Sequence, residues 1–318
     1  MELNQFIGLV LSGDRRAIAR AISFIENGNP NANEILSVVY RHTGAAHRVG
    51  ITGPPGAGKS TITSKLARWY RAQGMSVGII AVDPTSPFTG GAMLGDRIRM
   101  TDVELDDGVF IRSMASRGSL GGLSKKTREA ADILDASGVD TILLETVGVG
   151  QSELDIASAA DSTIVVLVPE SGDGIQAMKA GLMEIADFFV LNKSDRPGAD
   201  QAIQSLNMVL GFRPHDETTW LPSVLRTVAN EGKGIQEIGE MIAKHRSHLE
   251  RSGGLQARRI KRMRDRIEEI VQDRLKVEFW DEERKAKLSE GLAAVMNFER
   301  TPYDLARELV VAFTQQMP

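Results

Sequence analysis

The chain contains no cysteine. That excludes a disulfide framework and any thiolate metal site, and it suits a reducing compartment. Histidine is also scarce: His42, His47, His215, His245 and His248 are all there are. Only His245 and His248 have ligand-like spacing, and with no cysteine to join them they read as a solvated pair on a polar helix face. No apolar stretch approaches the roughly 20 residues needed to span a bilayer. The opening Met1-Glu2-Leu3-Asn4-Gln5 lacks the basic-then-apolar pattern of a signal peptide. A soluble cytoplasmic protein with no membrane partner is expected. The net charge is only −4, so nothing global marks a nucleic-acid binder. Internal repeats and low-complexity tracts are absent as well.

What is present begins with residues 53–60, Gly53-Pro54-Pro55-Gly56-Ala57-Gly58-Lys59-Ser60. This is G-x-x-x-x-G-K-[ST], a phosphate-binding P-loop, and its context fits. The apolar run Val49-Gly50-Ile51-Thr52 before it reads as a buried strand, and a helical pattern opens at Thr61. Glycines allow backbone N–H groups to turn toward a polyphosphate. Lys59 would reach the β- and γ-phosphates, and Ser60 would ligate Mg²⁺.

Around this loop the 318 residues organise into three parts. Residues 1–47 read as a helical N-terminal extension. In it, Ser12-Gly13-Asp14 can cap a helix carrying Ile18, Ile22 and Ile25 on one face, Gly28-Asn29-Pro30 breaks that helix, and a second carries Ile35, Leu36, Val39 and Tyr40. Residues 48–250 alternate strand and helix. Strands are expected near 48–52, 77–83, 109–112, 141–145, 163–168, 188–192 and 223–227. Continuous apolar runs such as Thr163-Ile164-Val165-Val166-Leu167-Val168 suit parallel strands covered on both faces. The fold class is therefore α/β, a doubly wound, mostly parallel sheet. Gly253-Gly254 marks a break, and residues 251–318 read as helical. There Ile260, Met263, Ile267, Ile270 and Val271 form a narrow stripe suited to helix–helix pairing, either between subunits or onto its own domain. The arginines around 258–266 alternate with Asp265, Glu268 and Glu269 and read as a solvated face. A last helix starts at Thr301-Pro302.

A second motif selects the base. Asn192-Lys193-Ser194-Asp195 follows the apolar run Phe188-Phe189-Val190-Leu191. In this N-K-x-D pattern the Asp195 carboxylate accepts from guanine N1–H and the 2-amino group, a donor pair that adenine lacks. GTP and GDP are the expected ligands. Thr227-Val228-Ala229, about 30 residues on, stands where a backbone loop would read guanine O6. Glu145 ends the run Thr141-Ile142-Leu143-Leu144 and opens E-x-x-G, where ordinary GTPases have D-x-x-G. Its carboxylate can hold Mg²⁺ directly or through water, and the Gly148 N–H can meet the γ-phosphate. Asp83 ends another strand before a proline- and glycine-rich loop that reads as a first switch, and Asp96 follows. Both are candidate metal or water-positioning carboxylates. The position that often carries a water-orienting Gln is Val149, with Gln151 only a weak substitute, so unassisted hydrolysis should be slow, on the order of 10⁻⁴ to 10⁻² s⁻¹. The loop Ser171-Gly172-Asp173-Gly174 reads as a further mobile element.

Taken together, Gly53 to Thr61, Asp83 to Met100, Glu145 to Glu153, Gly172 to Asp187 and Asn192 to Asp195 resemble the MeaB/ArgK-type GTPases, the methylmalonyl-CoA mutase-associated class of SIMIBI P-loop GTPases. The resemblance covers nearly the whole chain. It implies a homodimer with a C-terminal dimerisation arm, and a chaperone that gates cofactor loading into an adenosylcobalamin-dependent acyl-CoA mutase and protects it. It also implies that Ser60, Asp83, Asp96 and Glu145 surround Mg²⁺ and that residues 170–181 form an extra switch. Thr227-Val228-Ala229 and Pro169-Glu170-Ser171-Gly172 depart from the family's commoner Ser-Ala and glycine-alanine loops. A nickel-insertion GTPase shares the acidic motif but needs soft or imidazole ligands, and a non-hydrolysing GTP-dependent scaffold is imaginable from Val149. An arginine- or ornithine-transport kinase has no support in these residues.

Overall fold

The computed structural model describes residues 2–83, 103, 105–115, 125–146, 152–170, 181–212 and 219–314. The helices that open the chain are α1 (Leu3–Leu11), α2 (Arg15–Glu26) and α3 (Ala32–Val39). The expected cap at Asp14 is present: its carboxylate accepts from Ala17 N at 2.7 Å. Strand β1 (His47–Thr52) leads into α4 (Lys59–Ala72), then β2 (Val77–Asp83), β3 (Val109–Ala115) and α5 (Lys125–Ala136). β4 (Thr141–Thr146), α6 (Ser152–Ala159), β5 (Ser162–Leu167) and β6 (Phe188–Asn192) follow. The region closes with α7 (Ala199–Gly211), β7 (Val224–Thr227) and α8 (Ile235–Ser252).

The seven strands form one sheet in the order β3-β2-β4-β1-β5-β6-β7. Every pairing is parallel. Alternate residues of one strand bury against opposite faces, as strand geometry requires. On one face Ile80, Val82, Ile142 and Leu144 pack with α5, α6 and the helices of residues 1–47, through Phe6, Ile22 and Ile35. On the other, Ile51, Ile79, Leu143 and Val166 pack with α4 and α8. Val165, Leu167, Phe189 and Leu191 join α7 in a third cluster. The N-terminal helices thus share the core of the sheet, and contacts place Met1–Arg258 in one compact unit and Arg259–Pro318 in a second.

One helix crossing depends on a missing side chain. A β-carbon at Gly239 of α8 would sit 2.4 Å from the Trp69 ring on α4. Gly239→Val should overpack this crossing by about 1–3 kcal/mol. Thermal unfolding should then drop by several degrees, at roughly 2–4 °C per kcal/mol for a chain of this class. A melting temperature unchanged within a degree or so would contradict the tight crossing.

The N-terminal ends of the strands hold a buried polar chain. Asp187 accepts from Thr163 N at 2.7 Å and from both terminal nitrogens of Arg258, at 2.9 and 2.7 Å. His245 Nε2 lies 3.3 Å from the same carboxylate, while its Nδ1 meets Ser162 Oγ at 2.7 Å. Ser162 Oγ is also 3.0 Å from His47 Nε2. Contrary to the solvated pair expected from the sequence, His245 is fully buried, and only His248 of the two reaches the surface. His245 follows Ile238 and Ile242 and precedes Leu249 on the buried stripe of α8.

Burial alone would push the Asp187 carboxyl up, but hydrogen bonds from His245 and Arg258 and their charges outweigh it and hold it below its usual range. A carboxyl lowered in the folded state adds stability above its unfolded value of about 3.9, and that stability is lost as pH falls through the folded value. Asp187→Asn should therefore cost about 1–3 kcal/mol at neutral pH and flatten the acid limb of the stability curve. Thermal melts from neutral pH down to about pH 3 read both effects. Parallel acid limbs for the two proteins would refute the assignment.

Beyond Gly253, whose left-handed φ of 74° ends α8, come α9 (Gly254–Phe279), α10 (Glu282–Met296) and α11 (Pro302–Thr314). The unit boundary falls inside α9. The stripe on α9 is solvent-facing: Ile260, Ile267, Ile270 and Val271 are all exposed. Among the described residues, no helix is long and apolar enough to cross a membrane.

Candidate functional site

In an open parallel sheet, ligands gather at the carboxyl ends of strands where the order reverses. Here that place is β1, flanked by β4 and β5, and the loop that leaves β1 is residues 53–58. Gly53, Gly56 and Gly58 take φ values of 132°, 74° and 91°, which L side chains rarely adopt. Two also lack room. A β-carbon on Gly53 would lie 2.1 Å from Val166 O, and one on Gly58 would lie 2.2 Å from Asn192 Nδ2. Glycine is therefore required at these positions for the loop to take this path.

Lys59 is the first residue of α4 and is buried. Its ammonium donates to Gly53 O at 2.7 Å and Pro54 O at 3.0 Å, so the loop closes round its own cation. Thr61 follows Ser60 in the first turn of the helix, whose positive end adds to the attraction for anions. Ser60 Oγ donates to Glu145 Oε1 at 2.5 Å. Glu145 is buried at the end of β4, beside a contact between Thr146 Oγ1 and Thr52 Oγ1 at 3.0 Å. Two hard oxygen donors from separate elements thus converge next to the phosphate loop. That donor chemistry fits Mg²⁺, which prefers oxygen ligands and keeps several waters.

The base-reading segment is tied to the same loop. Asn192 donates through Nδ2 to Ala57 O at 2.8 Å and accepts at Oδ1 from Ala229 N at 3.0 Å. Lys193 adopts φ 56°, left-handed for a residue with a β-carbon, and its ammonium reaches Gly56 O at 2.9 Å. Local strain of this kind persists only where surrounding contacts impose it. Ser194 gives both its N–H and its hydroxyl to Thr227 O, at 3.1 and 3.2 Å. Asp195 stands exposed beyond them and lines an open cleft of about 550 Å³ with Arg196 and Arg226.

The structure brings together residues 53–61, Glu145, Asn192, Lys193 and the Thr227-Val228-Ala229 segment. The Ala229 N–H is engaged by Asn192, and the Val228 N–H by Lys233 O at 3.1 Å, so this segment braces Asn192. Thr227 Oγ1 is buried with no hydrogen-bond partner among the described residues. Asp83 ends β2 opposite Ala115, and only its backbone is described. Asp96, Gly148, Val149 and residues 171–180 lie outside the described residues. The Ser194–Thr227 lock and the Thr52–Thr146 contact were not anticipated. Both use small hydroxyls at or just beyond strand ends, which carry no motif.

With this geometry in hand, the chain matches the sequence profile described as methylmalonyl Co-A mutase-associated GTPase MeaB over residues 18–284. It is 49% identical over 306 residues to a Pyrococcus abyssi protein named as a GTPase, covering 96% of this chain and 94% of that one. It is 36% identical to the GTPase ArgK of Escherichia coli over 320 residues, covering 96% and 95% of the two chains. The mouse methylmalonic aciduria type A homolog is 35% identical over 272 residues, 80% of this chain and 65% of that protein. A crystal structure of an LAO/AO transport system kinase superposes with a TM-score of 0.73 at 30% identity, covering 99% and 98% of the chains.

Proposed function

Because the chain belongs to the methylmalonyl-CoA mutase-associated GTPase family MeaB and is a GTPase, we propose that its nucleotide state gates adenosylcobalamin loading into an adenosylcobalamin-dependent acyl-CoA mutase of the methylmalonyl-CoA mutase type, and protects that mutase. The family match over residues 18–284 carries this reading. The similarity to the mouse protein named for methylmalonic aciduria supports it. The same reading puts the work in the cytoplasm, in solution with its client.

The chemistry is phosphoryl transfer to water, in which positioning and charge do most of the work. The P-loop amides and Lys59 hold the triphosphate, and Asn192, Lys193 and Asp195 hold the guanine. Ser60 and Glu145, with Asp83 and Asp96 from the first switch, would hold Mg²⁺, which when bound neutralises charge on the β- and γ-phosphate oxygens. Gly148 would sense the γ-phosphate. With Val149 next to it, turnover by the protein alone should fall on the order of 10⁻⁴ to 10⁻² s⁻¹. Single-turnover kinetics checks this, and a rate near 10 s⁻¹ without a partner would contradict it.

Residues 1–47, 48–250 and 251–318 act in this reading as N-terminal extension, GTPase domain and dimerisation arm. The arm has little core of its own. Among the described residues beyond Arg258, only Leu305 and Leu309 are buried apolar side chains. A unit so small and so thinly packed needs a partner surface, which two copies supply to each other.

The test is nucleotide-dependent capture. The protein is incubated with a purified adenosylcobalamin-dependent acyl-CoA mutase in GDP and in a non-hydrolysable GTP analogue, and GTP turnover is followed with and without the mutase. Complex formation that differs between nucleotides, with faster turnover in the complex, is expected. No complex in either state and unchanged turnover would defeat the proposal.

A further inference from the structure

Phe298 stands where a helix ordinarily ends on glycine. α10 closes with Glu299 N–H donating to Ala294 O at 3.0 Å and Phe298 N–H donating to Val295 O at 3.1 Å. That pair of bonds is the Schellman closure, and it requires left-handed backbone at the residue between helix and exit. Phe298 supplies it with φ 60°. Asn or Gly adopts this conformation cheaply, whereas a bulky residue there is a genuine outlier. Among the described residues the ring finds no cover, since Phe298 is 96% exposed. Met296 and Tyr303, on either side of the turn, are exposed too. A strained turn that carries an aromatic ring into water costs the free chain twice over.

The same unit also holds a place for a ring. α9, α10 and α11 line an apolar cavity of about 300 Å³ that opens to solvent, with Phe279, Leu288, Leu292, Val295, Leu305 and Leu309 among its walls. A dry apolar cavity of about 150 Å³ is enough to take benzene. We propose that Phe298 is the anchor by which two copies of this chain pair: each ring enters the other copy's α9–α10–α11 cavity. Knob and hole lie on one unit, so a two-fold axis makes the contact twice. The exposed stripe of Ile260, Ile267, Ile270 and Val271 on α9 extends the apolar surface available to the same partner. The inference rests on the reading of residues 251–318 as a dimerisation arm.

The test uses the full chain and sedimentation equilibrium. Phe298→Gly removes the ring and relieves the backbone, so its thermal melt should match or exceed the wild type's in the monomeric range. Ala306→Trp fills the cavity from within and leaves Phe298 in place. Burying one large side chain accounts for roughly 10–100-fold in affinity, and two-fold symmetry counts it twice. Each variant should therefore weaken association at least about 100-fold. The double variant should be no weaker than the worse single one, because both remove the same contact. A wild type that stays monomeric at tens of micromolar would overturn the dimer reading itself. A dimeric wild type with Phe298→Gly pairing as tightly would overturn the anchor alone. Unchanged pairing with loss of mutase-stimulated turnover would assign the ring to the client and likewise overturn this proposal.

Discussion

Lys59→Ala is expected to slow GTP hydrolysis about 10²–10³-fold at saturating nucleotide, the usual cost of removing one donor that stabilises transition-state charge. The ammonium already sits at the centre of the loop, 2.7 Å from Gly53 O and 3.0 Å from Pro54 O. These bonds hold the ammonium inside the loop before any ligand arrives, and preorganisation of this kind is what makes such donors effective. The fold should survive. Residue 59 lies in the first turn of α4, where Ile62 and Leu66 bury the helix independently of the lysine. Single-turnover assays with radiolabelled GTP, paired with a thermal melt, separate catalysis from folding. A rate within about threefold of wild type would remove Lys59 from the mechanism.

Asp195→Asn should exchange one base for another. Two hydrogen bonds to a carboxylate are each worth about 1.5–3 kcal/mol, so GTP affinity should fall by about 10²–10⁴-fold, nearer the lower figure because Asp195 is exposed. An amide offers one donor and one acceptor, which match the O2 and N1–H of xanthine, so XTP should gain what GTP loses. The phosphate loop should be unaffected, because it is held by Asn192 through Ala57 O and not by Asp195. Isothermal titration with GTP, XTP and ATP checks all three. Equal GTP affinity in variant and wild type would take Asp195 out of base recognition.

Much of this is legible in the amino-acid sequence. The strands were legible because both faces of a parallel sheet are covered, leaving runs such as Thr163-Ile164-Val165-Val166-Leu167 with no polar interruption. Their observed bounds differ from the expected ones by three residues at most, at the end of β3. The phosphate loop was legible because its glycines answer to steric limits that no other residue meets. Within the helical stretch 251–318, the sequence does not set α10 apart as a helix of its own. Its charges are spread around the helix, and among its residues only Arg284 is buried, so it offers no apolar periodicity to read. His245 was misplaced for the opposite reason. Its spacing from Ile238, Ile242 and Leu249 is that of a buried stripe, but residue type outweighed position. The Asp187–His245–Arg258 chain joins residues far apart in sequence, and nothing local foretells it.

The helices of residues 1–47 contribute Phe6, Ile22 and Ile35 to the cluster that covers Ile80, Ile142 and Leu144. Trimming the chain to its nucleotide-binding portion would therefore expose the apolar side of α5 that these helices cover. The shortened polypeptide would keep every ligand-touching residue yet be sticky and prone to precipitate, so failure to recover it in soluble form would say nothing against the pocket.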